Sequence, residues 1–228
     1  MISRLVLALI AAALALPLGA QLINESFDGT MPPTGWTVTN NSTTPVGAQS
    51  WFAGNPTAFG PKSGAGYAAA NFNATASTST TAVLSVWLIS PAVQLQNGQK
   101  ITLWTRTQLV LGASFPDRLQ VRLNSTNTTN VGTTPTSVGD FTNLALDINP
   151  TYTGSGYPLA WTQQVITVSG ITGTVTGRVA LRYFVENGGP SGARSNYIGV
   201  DDFVVHSLSA NPEIQVSQTG TPVMSGGN

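Results

Sequence analysis

After the first twenty residues, apolar positions rarely recur at the three-to-four-residue spacing that marks an amphipathic helix. They alternate with polar ones instead, or gather in short β-branched runs. Residues 118–123 (Arg-Leu-Gln-Val-Arg-Leu) alternate strictly and residues 99–107 in part, as half-buried antiparallel strands do. Residues 161–168 and 178–185 follow the same pattern more loosely. Residues 83–89 and 197–205 are almost continuously apolar, which predicts strands covered on both faces. Residues 22–27 and 67–72 predict two further strands. Gly, Pro, Asn and Ser collect between these runs, at 31–35, 54–66, 124–139 and 149–158. About eight to eleven short strands at this spacing predict an all-β fold, a β-sandwich of the jelly-roll kind.

The ends of the chain have a different character. Arg4 precedes an apolar run over 5–16, Pro17 breaks the run, and Ala20 supplies a small residue for cleavage. The run is shorter than the ~20 residues a membrane-crossing helix needs. Residues 1–20 therefore read as a secretory signal peptide cleaved after Ala20. Residues 21–208 form the sandwich. In the remainder, 209–228, a linker leads into one strand-like stretch at 213–217. A strand without a partner is not a domain, so this segment reads as the opening of a following module, cut short. The expected product is secreted, extracellular or on the cell surface, with further domains of the same chain as neighbours.

Composition narrows the chemistry. Charged residues make up 8% of the chain, against about 25% in ordinary globular domains. Nine basic and nine acidic residues cancel, so no electrostatic footprint predicts nucleic acid or an anionic membrane as partner. With no cysteine and a single histidine, His206, disulfide scaffolds, thiolate zinc sites, cysteine nucleophiles and multi-histidine metal cages are excluded. No G-x-S-x-G nucleophile elbow occurs. His206 reads as a strand-end residue rather than a triad base. Glu25, Asp117, Asp140, Asp147 and Glu186 could supply a glycosidase pair, but no spacing argues for one. Gly64-Ala65-Gly66-Tyr67-Ala68-Ala69 matches a dinucleotide-binding pattern only loosely. It follows no strand and opens no helix, so it reads as a turn into the strand at 67–72.

Two groups of residues remain as candidates. Asp201-Asp202 is the densest acidic feature. Neighbours in a strand point to opposite faces, but one of the pair could turn to the sheet edge and meet Glu25 or Asp28. Two or three carboxylates with turn carbonyls would suffice for a calcium ion. The alternative is that these acids cap turns or pair with arginines. The second group is aromatic. Trp87 and Trp104 lie in apolar strands and read as core. Trp51, Tyr152, Tyr157 and Trp161 lie in or beside Gly/Pro/Asn-rich loops, where a rigid sandwich could present them to a sugar ring. The Asn-x-Ser/Thr triplets at Asn24, Asn40, Asn41, Asn73, Asn124 and Asn127 are what so Thr-rich a composition yields.

Four ordered segments carry a family resemblance: Glu25-Ser26-Phe27-Asp28-Gly29 with Pro32-Pro33-Thr34-Gly35-Trp36; Trp87-Leu88-Ile89-Ser90-Pro91-Ala92-Val93; the strand at 100–107; and Asn196-Tyr197-Ile198-Gly199-Val200-Asp201-Asp202-Phe203. Together they resemble the bacterial choice-of-anchor J family, related to the cleaved adhesin domains of gingipains and more distantly to MAM domains. The resemblance covers about residues 22–206. It implies a jelly-roll sandwich, export, adhesion or carbohydrate-binding-like work, and calcium as a structural ion at Glu25, Asp28, Asp201 and Asp202. The chain is poorer in acids than that pattern. The expected function is a noncatalytic adhesion or carbohydrate-binding-like module of a larger extracellular bacterial protein, with a glycan or a host or matrix protein surface as partner. The alternatives are a ligand-free structural spacer and a glycan-active hydrolase.

Overall fold

The computed structural model describes residues 21–208. The expected signal peptide and following module lie outside them. Twelve strands run in the order β1 (Gln21–Glu25), β2 (Thr37–Asn40), β3 (Phe52–Ala53), β4 (Ala68–Asn71), β5 (Val83–Ile89), β6 (Val93–Leu95), β7 (Lys100–Thr107), β8 (Leu119–Asn124), β9 (Asn143–Ile148), β10 (Thr162–Thr167), β11 (Val175–Glu186) and β12 (Tyr197–His206). A short 3₁₀ turn at Phe72–Ala74 follows β4.

The strands make two antiparallel six-stranded sheets. The first has the order β10-β7-β12-β4-β3, with β1 also on β12; the second has the order β2-β5-β11-β8-β9, with β6 also on β11. This is the expected all-β sandwich. The short strands β2, β3, β6 and β9 go beyond the sequence reading, because runs of two to six residues carry too little periodicity to stand out from turns.

Alternation decides what each strand buries. In β7, Ile101, Leu103, Thr105 and Thr107 point inward, while Thr102, Trp104 and Arg106 face out and are only partly covered. Trp104 is therefore an outward-facing residue and not the core residue its apolar strand suggests. Trp87 is core, as expected. In β5 nearly every residue is buried. Its inner face joins the main core, and Trp87 and Ile89 on its outer face pack under Val131 and Phe141 of the long 125–142 loop. Arg182 of β11 clamps that loop. Its guanidinium lies 4.6 Å from the Trp87 ring and 4.0 Å from Phe184, and it donates to the carbonyls of Pro135 and Ser137 at 2.6 and 3.1 Å. Burial and the neighbouring Arg122 and Arg118 hold its pKa well below the usual guanidinium range.

The outer face of β12 is covered in the same way. Gly199 lies beneath Phe59, Trp161 and Tyr67, and a Cβ there would come within 2.9 Å of all three rings. Only glycine lets this aromatic lid sit on the sheet.

Trp51 joins the two sheets. It is 4% exposed, packs in the main core, and its indole N–H donates to the Val86 carbonyl of β5 at 3.2 Å. It is therefore a core tie and cannot offer its face to a sugar. Trp51→Phe removes that donor and leaves a small void. It should lower unfolding stability by about 2 kcal/mol. Denaturant melts check this, and an unchanged midpoint would contradict the assignment.

Candidate functional site

The acidic residues converge on the turn at 61–66. β12 changes partner halfway along, from β4 over Tyr197–Val200 to β1 over Phe203–His206. A bulge between Asp201 and Val204 marks the change, and Asp202 there takes a left-handed φ of 47°. The 61–66 turn fills the gap between the ends of β1 and β4. The Asp201 carboxylate replaces the missing ladder: Oδ2 accepts the N–H groups of Lys62 and Ser63 at 2.8 and 3.3 Å, and Oδ1 accepts that of Asp202 at 2.7 Å. The bulge brings Asp202 to the same turn, where its Oδ1 accepts the Ser63 hydroxyl at 2.7 Å. Asp28 holds the far end, its Oδ1 accepting the N–H groups of Ala65 and Gly66 at 2.5 and 2.8 Å. Glu25 accepts the N–H of Phe27 at 3.0 Å.

Among the described residues no three His, Cys, Asp or Glu side chains gather into a group that could hold a metal ion. The expected calcium set of Glu25, Asp28, Asp201 and Asp202 is thus not assembled. Asp28 and Asp201 bond the N–H groups of the turn.

The four aromatic candidates do not form one platform. Besides Trp51, Tyr157 is buried at 3% exposure, with its hydroxyl 2.7 Å from Thr105 Oγ1. Each sits beside a Gly-rich loop in sequence but turns its ring inward. Tyr152 is half-buried between the guanidinium groups of Arg194 and Arg118, 3.9 and 5.5 Å from its ring. Trp161 is half-buried in the lid over Gly199, and its N–H donates to the Gly60 carbonyl at 3.0 Å.

The acids weighed as a hydrolytic pair are engaged by other side chains. Arg118 binds Asp147 bidentately at 2.8 and 2.7 Å, and Glu186 lies 3.6 Å from the same arginine. Asp140 accepts from Asn130 and Thr128. His206 Nε2 lies 3.2 Å from Thr102 Oγ1.

A concave surface lies at the end of the sandwich where β12 begins. An open groove of about 510 Å³ is lined by Gln49, Asn55, Asn71, Asn73 and Gln108, with the rings of Phe52, Phe72 and Tyr197. No charged side chain lines it. A pocket of about 190 Å³ adjoins it across Phe72, bounded by Val110, Phe115, Pro190, Ser195 and Asn196. A third hollow of about 70 Å³ shares Gln108 with the groove and Val110, Phe115 and Asn196 with the pocket. The three form one trough.

Local structure fixes the walls. Asn71 caps the 3₁₀ turn, accepting from the Asn73 N–H at 2.9 Å, so Phe72 projects at 36% exposure. Asn71 Nδ2 donates to Gln49 Oε1 at 2.7 Å, which orients both amides. The Tyr197 hydroxyl accepts the Asn55 N–H at 2.7 Å. Asn196 Nδ2 donates to the Gln108 carbonyl at 2.8 Å and joins two walls.

Beneath them lies Asp117, 1% exposed. Its Oδ1 accepts the Tyr183 hydroxyl at 2.6 Å and the Asn196 N–H at 2.8 Å, and its Oδ2 accepts the Thr107 hydroxyl at 2.5 Å. Burial raises its pKa against the pull of those donors.

Of the ligand candidates in the sequence, Tyr157 borders the smallest hollow; the residues that wall the groove and the pocket are not among them. Asn73 was dismissed with the other Asn-x-Thr triplets. The signals available were the amides flanking an aromatic in Asn71-Phe72-Asn73 and the uncharged, apolar 108–116 segment, where Leu111 is 88% exposed.

No family model matches the chain, and no curated protein matches it. Solved structures do. The K1 cleaved adhesin domain of Lys-gingipain from Porphyromonas gingivalis W83 aligns with a TM-score of 0.54 and 21% identity over 81% of this chain and 97% of that one. The K3 domain of the same protein gives 0.55 and 18% over 82% and 99%. The K2 cleaved adhesin domain of Lys-gingipain gives 0.53 and 17% over 81% and 99%. The sandwich therefore has the fold of the cleaved adhesin domains, as the four sequence segments suggested. Among the described residues no helix is long and apolar enough to cross a membrane.

The two anchoring aspartates have opposite pH signatures. Burial pushes Asp201 from 3.8 up to about 6, so the folded state holds its proton more tightly than the unfolded chain. Its contribution is complete below about pH 4 and is lost as pH rises through 6. The N–H groups of Ala65 and Gly66 hold Asp28 below 3.8, so its contribution is lost as pH falls beneath that value. Asp201→Asn should therefore flatten the decline in stability between about pH 4 and pH 6. Melting temperatures across that range test it, and an unchanged slope would contradict the assignment.

Proposed function

We propose that this chain is a noncatalytic, exported binding module of the choice-of-anchor J and cleaved-adhesin kind, and that the trough binds an uncharged glycan. One observation carries the reading: five side-chain amides and three aromatic rings line an open groove that no charged side chain enters. A primary amide offers a donor and an acceptor side by side, which matches the vicinal hydroxyls of a sugar. The exposed Phe72 ring supplies an apolar face for the sugar's C–H surface. The side chains of Gln108 and Asn73 make no hydrogen bond to the described protein, so both are open to a ligand.

The same site supports a noncatalytic role. Of the five acids weighed as catalysts, only Asp117 lines the trough, and its two oxygens are engaged by three donors. No second carboxylate stands across the trough as hydrolysis of a glycosidic bond requires. The four ordered sequence segments support membership of the choice-of-anchor J family. The apolar run at 5–16 after Arg4 supports export.

A glycan array presenting neutral and acidic structures tests this. Wild type should bind neutral glycans. Phe72→Ala and Asn73→Ala, both exposed, should each weaken binding about tenfold or more with melting temperatures unchanged. Binding confined to acidic glycans would overturn the reading, and binding to none would favour a structural spacer.

A further inference from the structure

The pocket beside the groove is chemically distinct from it. Phe72, Val110, Phe115 and Pro190 give it an apolar wall, whereas the groove is walled by amides. Two polar residues, Ser195 and Asn196, border that wall. Asn196 uses its Nδ2 on the Gln108 carbonyl, and among the described residues no donor reaches its Oδ1. The Ser195 Oγ accepts the Gly189 N–H at 2.8 Å, which leaves its own hydroxyl proton to donate. Ser195 is held at this rim by its N–H, which donates to the Pro116 carbonyl at 3.0 Å. Asn196 is held by its N–H on Asp117. The site is therefore fixed by the protein before any ligand arrives.

Resting on the glycan reading of the groove, we propose that the trough selects a 2-acetamido sugar and that the pocket receives the acetamido group. That substituent has three parts: an N–H donor, a carbonyl acceptor and a methyl group. The pocket presents their complements: an acceptor at Asn196 Oδ1, a donor at Ser195 Oγ and an apolar wall. A 2-hydroxyl at the same position would place a polar group against Val110 and Phe115 and leave the apolar wall uncovered. The groove's amides then take the remaining ring hydroxyls, and Phe72, common to both cavities, sits where the ring joins its substituent. One buried methyl and one added hydrogen bond correspond to about a tenfold preference over the matching hexose.

The test compares ligand pairs that differ only in that substituent: chitotetraose with cellotetraose, and N-acetylgalactosamine with galactose. Calorimetric or NMR titration of wild type should show at least one acetylated member binding about tenfold tighter than its partner. Val110→Trp, on the exposed loop, fills the pocket. It should erase that preference and leave the melting temperature unchanged. Ser195→Ala gives a second check if the tryptophan variant misfolds, and should reduce the preference without abolishing glycan binding. Equal binding of both members of each pair would overturn this inference and leave the glycan reading standing. Binding to neither member of either pair would also overturn it, with the array deciding whether the glycan reading falls too.

Discussion

The end of the sandwich that carries the trough depends on one buried carboxylate. Asp117 sits where the β7 end, the 187–196 loop and β11 meet, and each reaches it through one donor: Thr107, Asn196 and Tyr183. Its backbone carbonyl accepts from Asn149 Nδ2 at 2.9 Å, which adds the 149–157 turn. A buried charge is costly unless donors surround it, so once Asp117 is buried the geometry around it has little latitude. The loops that line the trough are positioned from below by this requirement, and their tips remain free to carry polar and aromatic side chains.

The same device appears a second time, on the other side of the first sheet. There Asp201 accepts three backbone N–H groups where β12 passes from one neighbour to another. A strand that exchanges partners leaves donors without acceptors, and a carboxylate supplies acceptors where no strand can. In a chain without cysteine, these buried acids and the Arg182 clamp do the cross-linking that covalent bridges supply in many exported domains. This accounts for the two aspartates whose pKa values burial raises. They are structural anchors, and few acids remain for other roles.

Much of the fold was legible in the sequence because its long strands obey simple periodicity. Residues 100–107 alternate in burial, and the continuous apolar runs of β5 and β12 are indeed covered on both faces; residues 119–124 alternate in sequence but are covered on both faces, with Gln120 2% exposed, rather than half-buried. The site was much less legible. Trp51 and Tyr157 lie beside loop-forming residues, and loop-rich sequence suggests exposure. Their rings turn inward to meet Val86 and Thr105, partners 35 and 52 residues away, and sequence spacing holds no sign of that. Trp104 failed in the opposite sense, since an apolar strand hid an outward-facing position. The trough draws on segments near Gln49, Phe72, Gln108 and Asn196, which only the sheet topology brings together. Asp28, Asp201 and Asp202 do meet, as the first-to-last strand pairing suggested, over a turn whose N–H groups bond Asp28 and Asp201 and whose Ser63 hydroxyl bonds Asp202.

The central claim is that Asp117 positions the trough walls. Amide hydrogen exchange on Asp117→Asn measures it most directly. An asparagine at this site can accept at only one oxygen, and its N–H₂ faces the donors of the other. Protection should fall in residues 108–117 and 187–196 while the amides of β5, β8 and β11 keep theirs, and glycan binding should weaken together with the loop protection. Unchanged protection in both loops, or a uniform loss across both sheets, would contradict the account.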